Sequence, residues 1–435
     1  MTTNPFTYGN PISRPIRFFG RERESKLIFS RLRNAEFESS SIVGERRIGK
    51  TSLLNYISDQ DVRKAKGFDL DRYHFVYMDL QQLDKDTTPV RMWQRLLQQI
   101  ARSCQDAKIK RIIETVREAD AIETFDLADV FDCVDENNKY IVLLLDEFDH
   151  IFHNPNFSPG FFYSLRSLAI QHNLSLITSS RRELIDLCGS EAVRSSPFFN
   201  IFANINIQLF TEAEAKRLIS EPLAETTIRF TDAEIEKLLV IAGLHPYFLQ
   251  AACFFLFDAY TRGLNPSERS SFLTDALHEQ AMPHLKVYWD NSDEQEKIVL
   301  TTLALLVRQG KDGEHTFNMK RLLALYTHSD QTLARLEKRG LVLSKSDMNS
   351  LFSPLFGEWI CNEITDTTRD QQGYEDWFRS NKRIVERLPT RIRIEIGDIL
   401  PRISSQYREL IIIWVSDPRN LIAVSELLKA TIEVH

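Results

Sequence analysis

Residues 39–58 read S-S-S-I-V-G-E-R-R-I-G-K-T-S-L-L-N-Y-I-S. Ser39 to Val43 is a short apolar strand, and Lys50 to Ser58 has the composition of a helix. Between them Gly44 to Thr51, G-E-R-R-I-G-K-T, matches the phosphate-loop pattern. The pattern works by geometry. Backbone N–H groups and the start of the following helix surround a phosphate chain, because the first N–H groups of a helix have no partner within it. Lys50 then reaches the outer phosphates, and the Thr51 hydroxyl offers an oxygen to Mg²⁺. Eight residues can match by chance; a strand before and a helix after are the context that gives the match meaning. Gly44, Glu45, Arg46, Arg47, Ile48, Gly49, Lys50, Thr51 and Ser52 are therefore the expected phosphate site.

Working outward, Tyr140 to Leu145 is an uninterrupted apolar run, Y-I-V-L-L-L, as a strand buried on both faces of a parallel sheet requires. It ends in Asp146-Glu147. Alone, two acids after a strand would read as the exposed start of a loop. With a phosphate loop upstream, Asp146 is expected to hold Mg²⁺ and Glu147 to polarise an attacking water. The next apolar strand, from Leu174 to Thr178, runs into S-S-R-R. An arginine at such a strand end can sense a terminal phosphate through charge-assisted hydrogen bonds. Arg181 is the candidate, with Arg182 or Ser180 the alternatives. His150 and His153, with Asp149 nearby, have a spacing open to metal binding but read better as polar loop residues.

Elsewhere, the Pro-, Gly- and Asn-rich first 19 residues are expected to run as an extended arm, followed by a helix from Arg21 to Asn34. Tyr73 to Leu80 and Ile205 to Leu209 read as further strands. Pro89 to Arg102 reads as an amphipathic helix with Val90, Trp93, Leu96, Leu97 and Ile100 on one face. Strands alternating with helices mean an α/β parallel sheet. From Thr211 the pattern turns helical, with capping boxes at Thr211-Glu-Ala-Glu and Thr231-Asp-Ala-Glu. Leu238 to Phe257 carries no Asp, Glu, Lys or Arg, but Gly243 and Pro246 interrupt it, so it reads as two buried helices rather than a membrane span. Asp293 to Ile360 orders as short helices and then a strand pair around Leu341–Ser344 and Ser350–Ser353, which suits a winged helix. A polar linker, Thr365 to Gln372, precedes a basic run from Arg379 to Arg393. The expected domains are a core with its arm over 1–210, a helical lid over 211–290, a winged helix over 291–364, and a small helical domain over 365–435.

Composition fits this frame. The chain is 43% hydrophobic and 26% charged, as in ordinary globular proteins. A net charge of −7 argues against bulk nucleic-acid binding. Five scattered cysteines without a C-x-x-C pair, and an N-terminus without the regions of a signal peptide, point to a cytoplasmic protein.

In combination these motifs resemble the STAND class of signal-transduction P-loop ATPases, relatives of the AAA+ and origin-recognition ATPases. The resemblance rests on Phe18-Phe19-Gly20-Arg21-Glu22, the phosphate loop, Asp146-Glu147, T-S-S-R and Gly243-Leu244-His245-Pro246, in that order. The opening N-P-F-x-Y-G-N-P-I and the loop E-R-R-I-G-K-T-S-L-L are similar to bacterial AAA-like members. The resemblance implies a sheet ordered 5-1-4-3-2, a helical lid and a winged-helix domain. It also implies ATP or ADP with Mg²⁺ as the bound ligands. Phe19, Gly20 and Arg21 would line the base and ribose side, Pro246 would pack near the adenine, and Arg181 would be the sensor arginine. One departure is plain: Leu351-Phe-Ser-Pro-Leu-Phe-Gly-Glu-Trp holds no His, so winged-helix sensing of ADP by a histidine is not expected.

The expected function is a nucleotide-controlled switch, closed with ADP and self-associating with ATP, that controls a separate effector or sensor through its C-terminal domain. The rival is an origin-recognition-like DNA-binding ATPase. Against it, Asp293 to Ile360 carries nine basic and nine acidic residues, whereas a DNA-reading module is strongly basic on one face.

Overall fold

Residues 3–119, 121–187, 197–309, 329–345 and 348–366 are described by a computed structural model. They fall into two units, Gly9–Gln208 and a second made of Met1–Tyr8 with the chain from Leu209 onward.

The first unit is built on five parallel strands: β1 (Ser39–Val43), β2 (Tyr73–Asp79), β3 (Tyr140–Asp146), β4 (Leu174–Ser180) and β5 (Phe202–Asn206). Their order is β2-β3-β4-β1-β5, the expected 5-1-4-3-2 read from the other edge. Parallel neighbours need crossovers, which helices supply. In chain order these helices are α1 (Glu22–Arg31), α2 (Lys50–Ser58), α3 (Gln60–Ala65), α4 (Pro89–Ser103), α5 (Ala107–Glu118), α6 (Thr124–Glu136), α7 (Asp149–His153), α8 (Pro159–Gln171) and α9 (Leu184–Leu187). The arm is extended apart from one 3₁₀ turn at Pro15–Arg17. Side chains alternate along each strand. Ile141, Leu143 and Leu145 of β3 join Val76 and Met78 in a core with α4, α5, α6 and α8. Val142, Leu144 and Asp146 therefore lie on the opposite face.

One expected strand is displaced. β5 covers Phe202–Asn206 rather than Ile205 to Leu209. It pairs with β1 over its whole length, Ser39 opposite Phe202 and Val43 opposite Asn206. The neighbouring strand β1, not the local apolar pattern, sets the register of this edge strand.

The second unit contains α10 (Glu212–Ala224), α11 (Asp232–Ala242), α12 (Pro246–Thr261), α13 (Pro266–Asp290), α14 (Glu294–Gln309), α15 (Ser329–Lys338), an antiparallel hairpin of β6 (Val342–Lys345) and β7 (Met348–Leu351), and α16 (Pro354–Asp366). Helices followed by a hairpin are the order of a winged helix. Thr211 and Thr231 cap α10 and α11 through complete capping boxes, as their sequences require. The apolar stretch is two helices, α11 and α12. Among the described residues no helix is long and apolar enough to cross a membrane. The start of the arm is anchored here: Asn4 Nδ2 donates to the Phe254 carbonyl at 3.0 Å, and Phe6 packs between Phe230 and Phe257. The basic run Arg379 to Arg393 and the domain expected over 365–435 lie outside the described residues, apart from the last turn of α16.

Between α11 and α12 the turn is fixed by contact. Gly243 has φ 57° and ψ −169°, a region open to glycine alone. A Cβ there would stand 1.9 Å from the Phe352 carbonyl oxygen. Ser353 Oγ donates to the Ile241 carbonyl at 2.6 Å, closing the same junction. Gly243→Ala is therefore expected to destabilise this unit by about 3 kcal/mol, from backbone strain and overpacking together. Gly263→Ala is the control: φ is 72° but nothing lies within 4 Å, so about 1 kcal/mol is expected. Denaturant unfolding compares the two, and equal costs would show that the Phe352 carbonyl is no obstacle.

Candidate functional site

All five strands of a parallel sheet end at one edge, and β1 stands between β4 and β5 there. The Gly44 N–H donates to the Ser180 carbonyl at 3.1 Å, and the Ile207 N–H to the Val43 carbonyl at 2.7 Å, so both neighbours grip the entry to the phosphate loop. Gly44 is required by space: a Cβ would meet the Ile207 carbonyl oxygen and the Ile48 side chain, each at 3.0 Å. Gly49 is required by conformation, with φ 104°. It is the N-cap of α2 and provides no side-chain acceptor, so no side chain caps the first turn. The buried Lys50 ammonium donates to the carbonyls of Gly44 at 3.0 Å and Glu45 at 3.2 Å. It is thereby held across the mouth of its own loop. Thr51 is half-buried in the first turn of α2.

Other loop and arm residues brace this structure. The buried Arg21 guanidinium donates to the Ile48 carbonyl at 3.1 Å, supporting the loop's own backbone. Arg47, at φ 67°, donates to the Gly9 carbonyl at 2.9 Å. Ser52 Oγ accepts from the Ile12 N–H at 3.0 Å, and Asn55 donates to the Ile12 carbonyl at 3.1 Å. The arm therefore runs along α2, with Phe18 stacked on Tyr56 at 4.5 Å. Phe19 is buried and Gly20 is left-handed at φ 71°.

Two strands from β1, the end of β3 delivers Asp146, which is 2% exposed. Its Oδ2 accepts from the Tyr77 hydroxyl at 2.9 Å. Oδ1 accepts from Ser179 Oγ and from the Glu147 N–H at 3.1 Å. Glu147 is half-buried at φ 50°, a strained conformation for a non-glycine residue. Its N–H also meets Ser179 Oγ at 3.2 Å, and the Phe148 N–H donates to the Ser179 carbonyl at 2.7 Å. Three hydrogen bonds, from Glu147 and Phe148 to Ser179 and Asp146, thus turn the chain at Glu147. The buried Asp149 carboxylate accepts the Arg181 N–H at 3.0 and 3.3 Å, fixing the end of β4. Arg181 and Arg182 are exposed. Ser180 Oγ donates to the Arg182 carbonyl at 2.7 Å, which turns that hydroxyl into the strand end.

Asp149 is therefore engaged with the backbone, not with His150 or His153. Among the described residues the one group with metal-ligand spacing is Asp132, Asp135 and His172. There His172 Nδ1 meets Asp135 Oδ2 at 2.9 Å, and Asp135 also accepts the Asn173 N–H at 2.8 Å, so the group pins the turn before β4 to α6. Pro246, in the other unit, is buried and opens α12 after the Gly243 turn.

Sequence reasoning missed Tyr77 and Ser179, and it named Asp149 only as a neighbour of two histidines, not as the acceptor of the Arg181 N–H. Ser179 lies inside the S-S-R-R stretch that was singled out, but only the β3–β4 pairing shows which serine meets Asp146. Chemically, the edge combines a backbone cradle for phosphates, a buried cation, and a hydroxyl and carboxylate as hard oxygen donors. Such a donor set fits Mg²⁺, which takes one or two protein oxygens and completes its shell with water and phosphate.

Similarity to known proteins points the same way. Comparison with the curated proteins finds no match. Among solved structures, a Walker-type ATPase of Pyrococcus abyssi is 16% identical with a TM-score of 0.51, over 81% of this chain and 99% of that one. The Aeropyrum pernix ORC2 protein, solved as ADPNP–ADP complexes, is 15% identical with a TM-score of 0.52, over 80% and 97%. At these identities the likeness is one of fold. The family described as Novel STAND NTPase 2 (nSTAND2) matches residues 34–311, which hold the phosphate loop, the acidic strand end and the capped helices α10 and α11. That match spans more than half of the chain, and with it the chain belongs to the STAND class of P-loop NTPases, in the family Novel STAND NTPase 2.

Proposed function

We propose that this protein is an ATP-controlled switch that hydrolyses ATP slowly and assembles when ATP is bound. The reading rests on one arrangement above all: Asp146 and Glu147 stand at the same sheet edge as the phosphate loop, while the chain also carries lid helices and a hairpin unit. Adenine nucleotides are the ligands favoured, since the A. pernix ORC2 protein was solved with ADPNP and ADP. Lys50 and the loop N–H groups bind the phosphates. Thr51 and Asp146 would hold Mg²⁺, which would supply charge neutralisation at the phosphates when bound. Glu147 orients the attacking water and takes its proton, and Arg181 contacts the terminal phosphate. Phe19, Gly20 and Pro246 are assigned to the base side.

A ligand shifts a two-state equilibrium only by its differential affinity. Moving from 1:99 to 99:1 takes roughly 10⁴-fold tighter binding to one state. Contacts of Lys50 and Arg181 made to ATP and not to ADP are the proposed source. In this reading the resulting assembly, or a surface opened with it, acts on a separate effector.

The test is mass measurement in solution with ADP and with a non-hydrolysable ATP analogue. A larger species with the analogue alone is expected. Equal mass in both conditions removes the assembly switch. Duplex DNA added to the same samples is expected to bind weakly and without sequence preference. A complex with roughly a thousandfold or greater specificity over random DNA would install the DNA-binding reading in its place.

A further inference from the structure

We propose that Tyr77 is a positioning residue for the metal-facing oxygen of Asp146, so that β2 contributes to the Mg²⁺ site without touching the ion. The inference deepens the assignment of Asp146 made above and rests on it.

The argument begins with the lone pairs of one carboxylate. An ionised Asp has two oxygens and about four acceptor positions. Asp146 Oδ1 receives two donors, Ser179 Oγ and the Glu147 N–H. Oδ2 receives one, the Tyr77 hydroxyl. Oδ1 is thereby saturated, and Oδ2 keeps the lone pair available to a metal ion or to a metal-bound water. Tyr77 holds the very oxygen that has coordination left to give.

Strand geometry explains why a tyrosine does this. Tyr73, Phe75, Tyr77 and Asp79 alternate onto one face of β2, half-buried, while His74, Val76 and Met78 are buried on the other. Phe68 meets Tyr73 and Phe75 edge-on, at 5.0 and 6.2 Å between ring centroids. Tyr77 is the last aromatic of the row. In register it lies opposite Leu144, one same-face position before the Asp79–Asp146 pair. A side chain of this length is therefore needed to span the diagonal from β2 to the end of β3.

Groups that orient metal ligands are worth roughly 10- to 100-fold in metal affinity. Tyr77→Phe keeps the ring and removes the donor, leaving the Oδ2 side of the carboxylate without its restraint. The experiment titrates Mg²⁺ against binding of a fluorescent, non-hydrolysable ATP analogue, and repeats the binding in a chelator. In Tyr77→Phe the half-saturating Mg²⁺ concentration is expected to rise by roughly 10-fold or more. Affinity without Mg²⁺ should stay within about twofold, since the loop contacts are intact. Ser179→Ala should shift the Mg²⁺ dependence less, because the Glu147 N–H still occupies Oδ1. An unchanged Mg²⁺ dependence in Tyr77→Phe overturns the proposal. So does an equal loss with and without Mg²⁺, which would mark a packing role. If the wild-type chain gains no affinity from Mg²⁺ at all, the assignment of Asp146 fails, and this inference fails with it.

Discussion

Replacing Lys50 by Ala is expected to abolish measurable nucleotide binding. Lys50 is buried, and its ammonium is fixed by the carbonyls of Gly44 and Glu45. Its place is set by the loop's own carbonyls. Charge-assisted hydrogen bonds contribute about 1.5–3 kcal/mol each. Losing two of them to the outer phosphates amounts to about 3–6 kcal/mol, or more than 100-fold in affinity. Lys50→Arg should fail as well, because a planar fork does not fit a cradle built around a compact ammonium. Calorimetry with ATP, on protein shown by circular dichroism to be folded, makes the comparison. Wild-type affinity in Lys50→Ala would mean that the phosphates bind elsewhere.

Glu147→Gln should separate binding from turnover. Gln keeps the size of Glu but cannot accept a proton from water, and the backbone bonds to Asp146 and Ser179 survive the change. Loss of a general base slows a reaction by roughly 10²- to 10⁴-fold. ATP should therefore bind normally, persist, and hold the protein in its assembled form, because the reset is blocked. Asp146→Ala should behave differently. It removes a ligand of Mg²⁺ and leaves Tyr77 and Ser179 without their shared acceptor, so hydrolysis and assembly are both lost. Phosphate release and light scattering on the same samples distinguish the two variants. Hydrolysis at the wild-type rate in Glu147→Gln would remove Glu147 from the mechanism. Trapped ATP on a monomer would leave the ATPase standing and end the assembly switch.

The left-handed backbone at Glu147 bears on this variant. A strained residue persists only where its surroundings over-determine it. Here the surroundings are the Ser179 hydroxyl and carbonyl, 32 positions along the chain. Ser179→Ala is informative for the same reason: it loosens Asp146 and the turn at Glu147 together.

What the sequence determined by itself was a set of features that depend on neighbours along the chain. β1 ends at Val43 and α2 begins at Lys50 as expected, because an apolar strand, two glycines with separate steric duties and a helix start are local facts. The capping boxes at Thr211 and Thr231 are local too, each closing within four residues. β3 showed itself as a continuous apolar run because both of its faces are covered. In the first unit only α1, α2 and α4 were foreseen as helices; among those that were not are α5, α6 and α8, whose packing against the sheet completes the core. Tertiary structure alone decided the rest. It moved β5 to the register that β1 imposes on an edge strand. It placed the Tyr77 hydroxyl on Asp146 and the Arg181 backbone on Asp149, pairs 69 and 32 positions apart. It put the Phe352 carbonyl where only a glycine fits at position 243. Each of these is a hydrogen bond or a steric contact between segments remote in sequence. No periodicity or propensity encodes which partner a buried polar group will find; the pairing of the strands does.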